Sequence, residues 1–421
     1  MRKLTALAAL CLLVSQANAN LTDWDWLTQY KQPNLHYGQL ALHPYYKLSE
    51  MYDSNIFLVP HDQPSGQVGG GVRSSWITKN NVGLETNLPW QHINNLSLGY
   101  DLEYDHYTTE PDVNDTVNQA AHIDFVREGA QGMTYKAGDQ YVNTTDQAFS
   151  ELIQRKRRWN NRVYAEADYT PKNGRLAWGV DADHETDKYL DPTLGAGLNR
   201  YQEDFGGNVG YMIQPKTKVY VSYHRGIIHY TVDPVPGLQD KNSKSHTVAL
   251  GVTGQLAPKI EGQVEGGYTY REYDAAPITG APRVHRSGTA ATSVTYKPDE
   301  YSKIVLTIAR YLQESIDPNN PFYYSNNIML DMDHKFPYKF TAGINLAMGI
   351  DQYQNDQTFV TGGPSVNRRD DLYQGGVWVE YDIQKWLSTG LSYVYRERDS
   401  TISGQFNYQD SQVTWNGSLK F

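Results

Sequence analysis

Cysteine is almost missing from this chain. Cys11 is the only one in 421 residues, and it sits in an apolar run at the N-terminus. The rest of the chain therefore offers no disulfide, no thioether haem attachment and no thiolate metal site. Long hydrophobic runs are scarce too. After the N-terminal run no stretch of about 20 apolar residues occurs, which excludes a helical membrane span. Basic residues are outnumbered, with 37 Lys and Arg against 47 Asp and Glu. Such a chain has no electrostatic footprint for nucleic acid. Few segments carry a helical period. There is no Gly-rich phosphate loop, no nucleophile elbow and no histidine pair at helical spacing. The chain reads as a non-enzymatic protein with no cofactor and no metal.

The N-terminus sets the compartment. Arg2 and Lys3 precede an apolar run over residues 4–14, and Ala17, Asn18 and Ala19 offer small residues for cleavage. This is the pattern of a secretory signal peptide, with cutting expected after Ala19. Leu10 before Cys11 makes a poor lipoprotein signal. Removing Arg2 and Lys3 leaves 35 basic residues against 47 acidic ones, a net charge of −12.

Tyrosine and glycine are abundant, at 33 and 35 residues, and they fall into a regular beat. From about residue 160, polar and apolar residues alternate over stretches of roughly 10 to 14 residues. Short turns at 171–174, 214–216, 257–259, 297–299, 336–337 and 382–384 alternate with longer loops rich in Gly, Pro, Asn and Asp. Strands of that length suit a tilted crossing of a hydrocarbon layer, with short turns toward the periplasm and long loops outside. Soluble sheets use shorter strands.

The two faces of each strand differ. Over residues 260–273, Ile260, Gly262, Val264, Gly266, Tyr268 and Tyr270 share one face, and Glu261, Gln263, Glu265, Gly267, Thr269 and Arg271 share the other. Leu176, Trp178, Val180 and Ala182 stand opposite Asp181, Asp183 and Glu185. Leu98, Tyr100, Leu102 and Tyr104 stand opposite Asp101, Glu103 and Asp105. Singly burying these charges in a dry core would cost several kcal/mol each. A wet lumen removes that cost. The last strand repeats the pattern, with Val413, Trp415, Gly417, Leu419 and Phe421 on one face. The expected fold is all-β: a transmembrane antiparallel outer-membrane β-barrel over residues 38–421, behind a short periplasmic segment at 20–37.

The direct count of candidate strands is 19, whereas single-chain bacterial barrels nearly always have an even number. Segments 68–77 and 81–88 are adjacent, and 81–88 is the weaker one. Eighteen strands are expected, with sixteen as the alternative. Residues 21–36, with Trp24, Trp26 and Tyr30, are too few for a TonB-dependent plug domain.

The candidate functional surface is the lumen. Its expected lining includes Asp101, Glu103, Asp105, Glu166, Asp168, Asp181, Asp183, Glu185, Glu261, Glu265, Arg271, Trp378, Glu380 and Arg396. The acidic surplus favours cations and repels small anions. Tyr164, Tyr273 and Trp378 offer flat faces for sugar rings. The basic run Arg155-Lys156-Arg157-Arg158 suits lipid phosphate or lipopolysaccharide, or a solvated hairpin end. His224 and His229 fall on opposite faces of one strand, which argues against a metal shared between them.

Residues 42–57 add a motif. Pro44 is followed by an amphipathic strand and by Tyr52, Asp53, Asn55, Ile56 and Phe57. This opening, with the Gly-rich strand after it, resembles the putative β-barrel porin 2 family. The resemblance implies an outer-membrane barrel. It also implies export of a surface or extracellular polysaccharide, since several members are associated with that role, together with periplasmic export components as partners. The alternatives are a general or substrate-selective diffusion porin and a non-conducting scaffold. Outer-membrane lipid and lipopolysaccharide are the expected surroundings in each case.

Overall fold

The computed structural model describes residues 35–60, 71–91, 93–147, 151, 155–172, 174–232, 241–274, 283–315, 321–357 and 366–421. The signal peptide and nearly all of the segment at 20–37 lie outside the described residues. A three-residue strand, β1 (Leu35–Tyr37), opens the sheet. Eighteen longer strands follow. They are β2 (Leu40–Asp53), β3 (Ser75–Trp90), β4 (Asn94–Tyr107), β5 (Thr116–Glu128), β6 (Met133–Thr144), β7 (Arg158–Tyr169), β8 (Leu176–Tyr189), β9 (Arg200–Gln214) and β10 (Thr217–Tyr230). The second half comprises β11 (Ser243–Ala257), β12 (Ile260–Tyr273), β13 (Val284–Tyr296), β14 (Ser302–Glu314), β15 (Phe322–Lys335), β16 (Phe340–Gln357), β17 (Val366–Gln384), β18 (Leu387–Ser400) and β19 (Tyr408–Lys420). Short helices α1 (Pro111–Asn114), α2 (Pro192–Leu198) and α3 (Ser403–Phe406) lie in the long loops.

Each long strand pairs antiparallel with the next, and β19 pairs with β2 to close an 18-stranded barrel. Closure leaves no sheet edge in lipid, where an unpaired backbone group costs several kcal/mol. Pro44 marks the closing seam. Along one side of β2, residues 40–42 pair with β1, whereas residues 45–53 pair with β19. Pro44 sits where the partner changes, and its carbonyl accepts from the Phe421 amide at 3.1 Å. A proline is tolerated there because no ladder partner needs its missing N–H.

The end of the segment expected at 68–77, from Ser75, and the segment at 81–88 belong to one strand, β3. Thr78 and Asn80 interrupt its apolar face and look like a break in the sequence. In the barrel, Thr78 donates to Glu50 at 2.9 Å and Asn80 accepts from Tyr46 at 2.8 Å. Those cross-strand bonds carry the strand through its polar stretch.

The faces match the alternation. Leu84, Leu98, Leu102, Val180, Val248, Leu250, Val264, Leu346, Val377 and Leu391 are all among the exposed large hydrophobics. A belt of this kind is stable in hydrocarbon and not in water. The chain is thus an outer-membrane barrel in contact with lipid. On the opposite face Asp101, Asn118, Ser222, Gln263, Glu265, Thr269 and Thr307 are buried. Glycines let long inner side chains lie flat on the wall. A Cβ at Gly251 would stand 2.4 Å from the Tyr220 hydroxyl, and one at Gly343 would stand 2.5 Å from the Trp378 indole.

The Asp53–Asn55 motif braces the first long loop. Asp53 accepts from the Asn55 amide at 2.9 Å. The Asn55 side chain donates to Val59 at 2.9 Å and to Gln409 at 3.0 Å, and accepts from the Val59 amide at 3.1 Å. Ile56, Ile77 and Tyr107 pack as a small buried cluster beside it.

Candidate functional site

The inner wall is built from ion pairs and hydrogen bonds between neighbouring strands. Asp101 accepts from the Tyr45 hydroxyl and, at 2.7 Å, from Asn81. Lys79 lies 3.3 Å from both Glu103 and Asp105. Lys136 pairs with Glu166 at 2.6 Å, and Arg162 pairs with Asp183. Glu185 accepts from Asn160 at 2.7 Å. The Tyr220 hydroxyl donates to Glu265 at 2.6 Å and accepts from Gln263 at 2.8 Å. Arg396 meets Asp410 at 2.6 Å, Arg271 meets Glu314, and Glu380 lies 3.9 Å from Lys420. Alternation brings these groups to one face, and antiparallel register sets acid beside base.

Some expected lining residues sit differently from the rest. Glu261 is exposed at the short-turn end and pairs with Lys297 at 3.1 Å. Trp378 lies along the wall over Gly343, so one ring face is taken by backbone. Tyr273 is fully buried and stacks on Phe322 with ring centroids 6.1 Å apart. Neither presents two open faces to a sugar. Asp168 and Asp181 carry no Lys or Arg within ion-pair distance among the described residues.

The outer mouth is a feature that sequence reasoning missed. Glu151, from the β6–β7 connection, lies 3.5 Å from Arg368 on β17 and accepts from the Ser315 hydroxyl at 2.9 Å. In a ring of eighteen strands these elements stand on nearly opposite sides. Arg368 also pairs with Asp370 at 2.6 Å and lies 3.5 Å over the Phe406 ring centroid. Lys241, from the β10–β11 connection, donates to the Ser315 carbonyl at 2.7 Å. Glu151, Arg368 and Ser315 are all within 3 % of full burial. The contact ties the β6–β7 connection to β17 and to Ser315 after β14. No local pattern signals the contact, because its partners are far apart in the chain.

The basic run is spent on the same rim. Arg155 lies 4.2 Å over the Tyr107 ring, and Lys156 pairs with Asp191 at 2.9 Å. Arg157 donates to Thr116 at 2.6 Å and to Asn143 at 3.0 Å. Lys156 holds the Asp191 carboxyl below the ordinary carboxylate range, helped by the Leu194 and Thr193 amides it caps on α2. These side chains knit the loops together instead of facing lipid phosphate.

Comparison with known proteins identifies a family. A family model described as putative beta-barrel porin 2 matches residues 30–421. No curated protein matches. Among solved structures, OccAB4 of Acinetobacter baumannii is 11% identical, with 93% of this chain and 100% of that one covered and a TM-score of 0.45. The outer membrane protein opdK of Pseudomonas aeruginosa is 10% identical, with 90% and 99% covered and a TM-score of 0.44. A mutant of the ferric enterobactin receptor of Pseudomonas aeruginosa is 8% identical, with 90% and 80% covered and a TM-score of 0.45. These likenesses concern the fold alone.

One expectation is corrected here. Polysaccharide export rested on a family association alone, yet the Glu151–Ser315–Arg368 bridge lies across the mouth that a polymer would have to pass. The chain is a β-barrel of the bacterial outer membrane.

Proposed function

We propose, for a chain that belongs to the putative β-barrel porin 2 family, the role of a substrate-selective outer-membrane channel for small cationic solutes. The observation that carries this reading is the Glu151–Ser315–Arg368 bridge across the mouth. A barrel of this strand number encloses an aqueous channel unless loops fill it. A bridge at one end restricts passage to solutes small enough to slip past it or able to loosen it. The carboxylates of Asp168 and Asp181, with no Lys or Arg within ion-pair distance among the described residues, supply the cation preference, as acidic walls concentrate counter-ions. Residues 1–19 serve as the export signal, and residues 20–37 as a short periplasmic lead into the barrel.

Planar-bilayer recording tests the reading. The wild-type barrel is expected to give small, cation-preferring events in a salt gradient. Arg368→Ala is expected to raise single-channel conductance several-fold. Anion preference, or a large conductance that the substitution leaves unchanged, would overturn it. Silence in both proteins would favour a scaffold.

A further inference from the structure

His224, Asp204 and Asp181 stand together on three adjacent strands. In the register of β8, β9 and β10, Asp181 lies opposite Gly206, and Gly206 lies opposite His224. Asp204 is the next inward-facing residue along β9. The imidazole Nδ1 is 2.8 Å from Asp204 Oδ1 and 3.7 Å from Asp181 Oδ2. One donor atom from each residue lies within 4.8 Å of the other two. Among the described residues this is the one group of three such ligands so placed.

Gly206 creates the space between them. A Cβ at that position would stand 2.3 Å from Asp181 Oδ2 and 2.3 Å from His224 Cε1. The imidazole and the Asp181 carboxylate therefore converge over bare backbone, and Asp204 joins them through its 2.8 Å contact with the imidazole. All three residues are half-buried, so an ion in lumen water can reach them. The charge is also unbalanced. Asp183 has Arg162 and Glu166 has Lys136, whereas Asp181 and Asp204 share a single imidazole among the described residues. One nitrogen and two carboxylate oxygens form a donor set suited to zinc, manganese or ferrous iron, with water completing the shell.

We propose that Asp181, Asp204 and His224 bind a divalent first-row transition-metal ion on the inner wall of the barrel. The donor atoms need to close by an ångström or so to reach coordination distance. Side-chain rotation over Gly206 supplies that movement. The proposal is independent of the channel reading, since a barrel that conducts nothing still has this wall.

The test uses the full-length barrel without a histidine tag, stripped with chelator and held in detergent, with Mn2+ as the probe. Electron paramagnetic resonance is expected to show one ion bound per barrel, displaced by Zn2+. Nitrogen modulation of the Mn2+ spin echo is expected in the wild type and reports the imidazole without any variant. His224→Gln and Asp204→Asn are each expected to weaken binding at least tenfold. Gly206→Ala keeps every ligand yet fills the cradle, and is expected to weaken binding as well. Folding of each variant is read from the heat-dependent gel shift of an intact barrel. Absence of binding, absence of nitrogen modulation, or full affinity in folded His224→Gln would overturn the assignment.

Discussion

Tyr45 lies flat across Gly83, so close that a Cβ on the glycine would stand 2.1 Å from the ring. The Tyr45 hydroxyl is anchored on Asp101, which also accepts from Asn81 at 2.7 Å. The ring cannot swing away without giving up that bond. Gly83→Ala is therefore expected to destabilise the barrel by about 1–3 kcal/mol, the usual cost of overpacking. Urea unfolding in detergent, followed by tryptophan fluorescence, measures it. Unchanged stability would mean the ring is free to move.

Leu250 tests which side of the wall meets hydrocarbon. It is 61 % exposed and sits mid-strand on β11. Leu250→Arg is expected to cost about 2–4 kcal/mol in a bilayer, the range for arginine near the midplane of a barrel. Folding into vesicles of phosphatidylcholine, compared with the wild type, gives the number. An arginine tolerated without cost would place Leu250 toward water.

Asp410 tests the buried ion pairs of the outer half. Its side chain is fully buried and holds Arg396 at 2.6 Å. Asp410→Asn leaves a guanidinium with a neutral neighbour. The expected loss is about 3 kcal/mol, because breaking one partner of a buried pair strands the other. Chemical unfolding of the variant measures this, and a loss below about 1 kcal/mol would show that water or another carboxylate compensates Arg396.

Asp191 predicts a pH response at the rim. Its pKa is depressed by the Lys156 ammonium and by the Leu194 and Thr193 amides. A depressed carboxylate contributes stability that is present above its unfolded pKa and lost as pH falls through its folded value. The unfolded value is 3.8. The N-terminus of α2 is therefore expected to hold firm at neutral pH and to open below about pH 4. Hydrogen exchange at the Thr193 and Leu194 amides reads this, and Asp191→Asn is expected to flatten the pH dependence. Equal protection at pH 3 and pH 6 in the wild type would contradict the assignment.

How much was legible follows the range of each interaction. Val264 and Glu265 declare opposite faces because neighbours along a strand point to opposite sides. Thr78 and Asn80 misled, since their partners Glu50 and Tyr46 lie on another strand. Alternation assigns the acidic residues to one strand face, but it does not reveal their partners. Asp181 read as one of three carboxylates on a single strand, and His224 was weighed only against His229. Which imidazole reaches which carboxylate depends on register, to which a one-strand reading is blind.

Export, an antiparallel membrane barrel and the sidedness of its wall were written into local order: a signal-like N-terminus, a period of two, and prolines mostly at turns. Those properties involve residues a few positions apart, so they survive in a one-dimensional string. The bridge between Glu151 and Arg368 and the gathering of Asp181, Asp204 and His224 emerged only on ring closure. Both rest on strands meeting across space, and hydrogen-bond register and loop reach are set by the whole circuit of backbone pairing.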